Sequence, residues 1–361
     1  MQYKLNLQGR QFFILITLHM IGSAVLVMPT VLTVAAKQDA WISAVMVVAA
    51  GLGLTWLVYK IYQRFPEQNL IEITQEVFGK RLGTAISFLF FTTYTFVITA
   101  LVLRNMGDFV ITVMLPDTPL GVVDLLFLFV VIMGVKLGLR TTAYAAEIFF
   151  PWVFLLFFVL CIGLLSEVKI DFILPIFDTG IKSIIQGALP QIGIPYMESI
   201  IFLMITSHIK QGEKVGKMWY MAVLASGLFL LTLTLLSTLV LGPAQTALSV
   251  FPTFELAKRI DSSRVEFFMT FIWFVTVFFR MILFFYITNV GLSLTLKWRD
   301  YKFFSYPLAM LVLVGSILFV PNRSFMSELI SMWYNYAFLW GVCFPILLLV
   351  ISMLRGKKQA S

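Results

Sequence analysis

The chain has 361 residues, of which 60% are apolar and 12% charged, with a formal net charge of +8; a soluble domain carries about 25% charged residues. This composition, with a mean hydropathy of +0.96, excludes a soluble enzyme, a disordered chain and a disulfide scaffold, and leaves an integral membrane protein. The apolar runs are long and continuous, which favours spanning helices over the short alternating segments of a membrane barrel, so the positive charge reads as loop charge rather than a nucleic-acid footprint.

Ten apolar segments follow one another at about 12–36, 41–62, 82–103, 121–137, 143–165, 187–206, 216–241, 265–292, 304–320 and 333–354. The first is long for a signal peptide and nine more follow it, so it reads as an uncleaved helix. Ten spans put both termini on one side. With the termini in the cytoplasm, seventeen basic residues (Lys4, Arg10, Lys60, Arg64, Lys80, Arg81, Lys136, Arg140, Lys210, Lys214, Lys217, Lys297, Arg299, Lys302, Arg355, Lys357 and Lys358) fall inside. Eight (Lys37, Arg104, Lys169, Lys182, Lys258, Arg259, Arg264 and Arg323) fall outside, and Arg280 falls within a span. That bias predicts cytoplasmic termini.

The first span holds Ile21-Gly22-Ser23-Ala24 near its middle and then Pro29. Backbone in hydrocarbon must satisfy its own hydrogen bonds, so a helix breaks there only where protein or a wet cavity supplies partners. After the second span, 66–81 reads as a short amphipathic surface helix stopped by Gly79. In the third span Thr92, Thr95 and Thr99 share one face beside Tyr94, either lining a cavity or packing against a neighbour. Glu147 lies toward the cytoplasmic end of the fifth span, and the outer segments 166–186 and 243–264 are long enough for short surface helices.

The sixth span holds Gly187, Pro190 and Gly193-Ile194-Pro195, followed by Tyr196 and Glu198. Spans one and six open two halves of five, and matched interruptions in corresponding places predict a midplane binding site in a five-plus-five inverted repeat, about 12–165 and 187–354 of one transmembrane domain. A broken helix offers free N–H groups to a carboxylate and free carbonyls to an ammonium group, so an amino acid is the simplest ligand that fits; Ser23 and Thr30 are candidates for added hydroxyl contacts. Intramembrane charge marks function. Glu198 is the leading single residue, with Arg280 of the eighth span its candidate partner and Glu147 the alternative; the three are candidates for an ion pair or charge relay. His19, one turn before Gly22, is a candidate for tuning protonation there.

The candidate ligand-binding set is therefore Ile21, Gly22, Ser23, Ala24, Thr95, Gly193, Ile194, Pro195, Tyr196 and Glu198. Cys161 and Cys343 read as apolar fillers, and His19 and His208 are too far apart for a metal set. There is no hydrolase triad, phosphate-binding loop or dinucleotide fingerprint, so catalytic residues, metal and cofactor are all expected to be absent.

Gly9-Arg10-Gln11-Phe12 leading into Ile21-Gly22-Ser23 and Pro29, Leu70-Ile71-Glu72-Ile73 before Phe78-Gly79-Lys80-Arg81-Leu82-Gly83, Leu174-Pro175-Ile176 with Gly180-Ile181, and Glu198-Ser199-Ile200-Ile201-Phe202 occur in an order and spacing that resembles the spore germination permease family. These are the B-type subunits of nutrient germinant receptors, within the amino acid–polyamine–organocation transporter superfamily. The resemblance covers essentially the whole chain. It implies an all-α, LeuT-like fold of ten transmembrane helices with helices one and six broken. It further implies nutrient sensing in the spore inner membrane and a complex with A-type and C-type subunits. Relatives often carry a second glycine where this chain has Ala24, which shortens the expected unwound stretch. A receptor that triggers germination and an amino acid permease working by alternating access need the same pocket; a structural subunit with a vestigial pocket is a third reading, disfavoured by Glu198 and Arg280.

Overall fold

In the computed structural model, residues 5–260, 266–298, 300–321 and 323–355 are described; of the basic residues sorted above, Lys4, Arg264, Arg299, Lys357 and Lys358 lie outside the described residues. Among the described residues, nine helical segments are long and apolar enough to cross a membrane. One of them, Ala24–Arg64, turns back at the 3₁₀ segment Lys37–Asp39 and so crosses twice, as the second half of span one and as span two. The short apolar helix Gly9–Ile21 supplies the first half of span one. The count among the described residues is therefore ten, so spans one and ten begin and end on one face, called here the terminal face.

Spans two to five are Ala40–Arg64, Lys80–Met114, Leu120–Leu137 and Leu139–Gly163. Span six is Gly180–Thr206, spans seven to nine are Val215–Leu241, Glu266–Thr295 and Tyr301–Leu318, and span ten covers 323–354. Between spans two and three lies the short helix Leu70–Phe78. Asn69 caps it, accepting from the Ile71 and Glu72 N–H groups, and Glu72 accepts from the Asn69 N–H in return. This reciprocal pairing satisfies orphan donors that would otherwise open the helix. Gly79, at φ +89°, ends it in a conformation that a side chain would strain.

Two boundaries differ from the sequence reading. Span three continues to Met114 through the π-helical segments Phe90–Thr95 and Val110–Met114. Arg104, assigned to an outer loop, is instead buried in this helix. Its Nε donates to Asp108 one turn on (2.9 Å) and its Nη1 to the Val320 carbonyl (2.7 Å). An arginine with two internal partners can stay inside a helix that a charge would otherwise end. Span ten starts about ten residues earlier than expected, because Arg323–Phe338 is already helical.

The packing places spans one, three, six, eight and ten around the middle of the molecule. The first half of span one lies against spans seven and eight, and the second half against span six. On the terminal face the segment before span one is fixed by backbone pairing. The Leu7 N–H donates to the His208 carbonyl (2.9 Å) and the Lys210 N–H to the Leu7 carbonyl (2.8 Å). On the opposite face, buried Asp39 accepts from the Phe177 N–H (2.8 Å), the Thr179 N–H (3.2 Å) and the Thr179 hydroxyl (2.7 Å), strapping the loop before span six to the turn after span one.

Candidate functional site

Both expected interruptions are present. Span one stops at Ile21; Gly22 adopts φ 7°, ψ −115°, and the second half starts at Ala24. The unwound stretch is thus only Gly22 and Ser23. No side chain caps the second half, and the Ser23 hydroxyl is buried without a hydrogen-bond partner. The first N–H groups of that half are the ones a helix leaves unpaired. Span six stops at Gly193. Ile194 is extended, the Ile194–Pro195 peptide is cis, and the chain resumes as the 3₁₀ segment Tyr196–Phe202. Glu198 falls in the first turn of that segment, where a carboxylate suits the positive end of the helix.

The two breaks meet at a cavity of about 60 Å³. Its lining includes Ser23 and Val27 of span one, Ile194 and Glu198 of span six, and Arg280 of span eight. Span three contributes Ile98, Leu101, Val102 and Asn105, and span ten contributes Leu329 and Trp333. A cavity needs about 10–15 Å³ to hold a single water, so this space is several times that minimum. The wall is mostly hydrocarbon, with Ser23, Asn105, Glu198 and Arg280 as its polar groups, the usual anatomy of a small-ligand site.

Glu198 and Arg280 of that lining form a cluster with His19, which is not itself part of the wall. Arg280 Nη2 donates to Glu198 Oε1 (2.7 Å) and Nη1 to the His19 carbonyl (3.2 Å). Glu198 Oε2 lies 3.3 Å from His19 Nε2 without closing a hydrogen bond. The guanidinium also sits over the Phe284 ring, 5.2 Å from its centroid. All three side chains are almost fully inaccessible; an isolated ion there would cost several kcal/mol, a penalty that the Glu198–Arg280 contact offsets.

Of the predicted ligand-binding residues, Ser23, Ile194 and Glu198 line the cavity. Gly22 lies behind it, against the Arg280 side chain; Ile21 and Ala24 are buried on either side of the break. Gly193 packs on Trp333 and Tyr334 of span ten, and Pro195 is the turn that admits the 3₁₀ segment. Three placements are corrections. Thr95 is not at the cavity: it accepts from the Thr288 hydroxyl (2.8 Å), while Thr99 meets the same hydroxyl at 3.3 Å, so the threonine face binds span three to span eight. Tyr196 turns away from the cavity, its ring pressed on Gly51 of span two. Glu147 does not reach Arg280; it pairs with Arg10 (2.8 Å) and accepts from Gln11 (3.3 Å) on the terminal face. Thr30 also points elsewhere, donating to the Ser249 carbonyl (2.7 Å).

The apolar wall residues Val27, Ile98, Leu101 and Val102 carried no signal in the sequence, and Asn105, Leu329 and Trp333 were missed too. Asn105 lies past the expected end of span three, and only the longer helix brings it to the cavity. Trp333 stands at the start of the expected tenth span; in the fold it stacks on Tyr94, centroids 6.2 Å apart and planes at 7°. Asp124, a buried carboxylate of span four accepting from the Ser316 hydroxyl (2.9 Å), was also missed and is not in the cavity lining.

The family described as "Spore germination protein" matches residues 6–324. The chain belongs to this family. Among curated relatives, the "Spore germination protein KB" of Bacillus subtilis (strain 168) is 28% identical over 367 aligned positions, covering 99% of this chain and 97% of the relative. The "Spore germination protein YndE" of the same organism is 25% identical, covering 97% of both, and the "Spore germination protein XB" of Bacillus anthracis is 24% identical, covering 96% and 99%. Among solved structures, MhsT, crystallised in complex with L-phenylalanine, superposes with a TM-score of 0.69 at 13% identity, covering 95% of this chain and 98% of that one. The fold of this spore germination family member is therefore the LeuT-like fold, an all-α, multi-pass membrane architecture in which helices one and six are broken.

Proposed function

We propose that the protein is the nutrient-binding subunit of a germinant receptor, taking a small amino acid into the cavity between the two breaks and signalling its presence for germination. The observation that carries this reading is a Glu198–Arg280 pair buried beside the uncapped second half of span one, in a cavity walled mostly by hydrocarbon. A zwitterion complements such a site. Its ammonium group goes to Glu198 Oε2, its carboxylate to the Ser23 hydroxyl and the free N–H groups of the second half-helix, and its side chain to Val27, Ile98, Val102 and Trp333. The cavity volume favours a short side chain over an aromatic one such as the phenylalanine held by MhsT.

The setting follows the family resemblance: the spore inner membrane, both termini cytoplasmic, and a complex with A-type and C-type subunits. The segments at about 12–165 and 187–354 would be the two inverted repeats. Binding that is tighter in one conformation shifts the population toward it, and the partner subunits would read that shift. A second reading, an amino acid permease, draws support from the Arg10–Glu147 ion pair on the terminal face, which would open and close that face.

Calorimetric titration of glycine, alanine, serine and valine into purified protein tests the pocket. Saturable binding weakened about tenfold or more by Glu198→Gln supports it, since a hydrogen bond to a charged group is worth about 1.5–3 kcal/mol. No binding by any of the four, or binding indifferent to Glu198→Gln, overturns it. Uptake into proteoliposomes then separates permease from receptor.

A further inference from the structure

The Arg280 side chain does more than neutralise Glu198. Of its two terminal nitrogens, one donates to a carboxylate oxygen of span six and the other to the His19 carbonyl near the end of the first half of span one. A carbonyl at the negative end of a half-helix, together with a buried carboxylate, forms a seat for a monovalent cation, and broken-helix transporters use such ends to hold coupling ions. Here a covalently attached cation already sits in it.

We infer that the Arg280 guanidinium is the built-in cation of this site, standing where a coupling sodium or potassium ion would otherwise bind, so that the pocket works without either ion. Three observations support this. First, charge balance: Glu198 and Arg280 cancel, and a further cation would leave net positive charge in hydrocarbon, which is costly. Second, reach: a Cβ on residue 22 would fall 2.5 Å from Arg280 Cδ and 2.8 Å from the His19 carbonyl oxygen. The arginine can enter the break because that position is glycine. Third, fixation: the guanidinium is held from both broken helices and over the Phe284 ring, so it ties the two half-helices together as a bound ion would. Arginine keeps its charge where lysine would lose it on burial, so the substitute is permanent.

The reading of the cavity as a ligand site stands behind this inference, but the ion seat is testable without any ligand. The thermal unfolding temperature of the purified protein is measured in choline chloride, with sodium chloride, potassium chloride or guanidinium chloride exchanged in at millimolar concentration and constant ionic strength. The wild-type protein is expected to unfold at the same temperature in all four. Arg280→Ala is expected to unfold several degrees lower and to regain most of that loss, saturably, with guanidinium or sodium. Arg280→Gln, which keeps a polar side chain there without its charge, is expected to show the same recovery even where the alanine variant does not accumulate. Saturable stabilisation of the wild type by sodium or potassium over choline overturns the inference, as does an alanine or glutamine variant that no cation affects differently from wild type. Amino acid titrations run in choline and in sodium report separately on the pocket. Absence of binding in both salts removes the ligand reading and leaves the unfolding result intact, whereas binding only in sodium overturns the built-in cation.

Discussion

Gly22 of span one and Arg280 of span eight approach so closely that the hydrogen of the glycine takes the place where a side chain would meet the arginine stem. The break in the first helix and the charge in the eighth are thus one feature. Gly22→Leu is expected to displace Arg280 and abolish the nutrient response of spores, while immunoblots of the inner membrane still find the protein. Gly22→Ala should destabilise by about 1–3 kcal/mol, as overpacking of a closed core does. A normal response from the leucine variant would remove the pocket from this location.

The ion pair should show strong coupling. Removing one partner of a buried pair costs about 3–5 kcal/mol because the other is left unpaired, so Glu198→Gln and Arg280→Gln are each expected to lower thermal stability in detergent. The double variant should lose about 0.5–3 kcal/mol less than the sum of the two. Strictly additive losses would be incompatible with the 2.7 Å contact.

Thr95 and Ser23 should separate stability from binding. Thr95→Val removes the hydroxyl that accepts from Thr288 and is expected to lower stability by about 1 kcal/mol without changing amino acid affinity. Ser23→Ala leaves packing nearly intact, since the hydroxyl has no protein partner, and should weaken binding several-fold. Calorimetric titration and thermal unfolding of the same two preparations decide the matter; the reverse pattern would relocate the polar end of the site to span three.

Asp39 holds the loop before span six with three hydrogen bonds. Asp39→Ala leaves the Phe177 and Thr179 donors without their acceptor, at a cost of about 1–3 kcal/mol. Hydrogen exchange at the Phe177 and Thr179 amides is expected to accelerate, with the cavity residues unaffected. Unchanged protection at those amides would show that the strap is held by other contacts.

His208, beyond the end of span six, is held below its usual imidazole pKa of 6.5 by burial. A lowered folded value means that the unfolded chain takes up the proton first. The stability linked to His208 is therefore complete above about pH 6.5 and is lost progressively as the pH falls below it. Protection of the Leu7 and Lys210 amides, relative to the intrinsic exchange rate at each pH, should fall on acidification in the wild type but not in His208→Gln; their pairing runs through this turn. Equal acid sensitivity in both would assign the effect to another group.

The sequence by itself determined the solvent, the number of crossings and the two interruptions, because each is local: about 20 apolar residues span a bilayer, and glycine with proline at mid-depth breaks a helix wherever the segment later packs. It also marked Glu198 and Arg280, since a charge in an apolar run stands out without any coordinates. What only the tertiary structure decided was who meets whom. Arg280 chose Glu198 while Glu147 went to Arg10; Thr95 met Thr288 instead of the cavity; and Asn105 and Trp333, unremarkable in their own segments, became its walls. The helical period fixes which residues share a face, but the neighbour of that face depends on how ten helices cross, and that is set by packing between segments far apart in the chain.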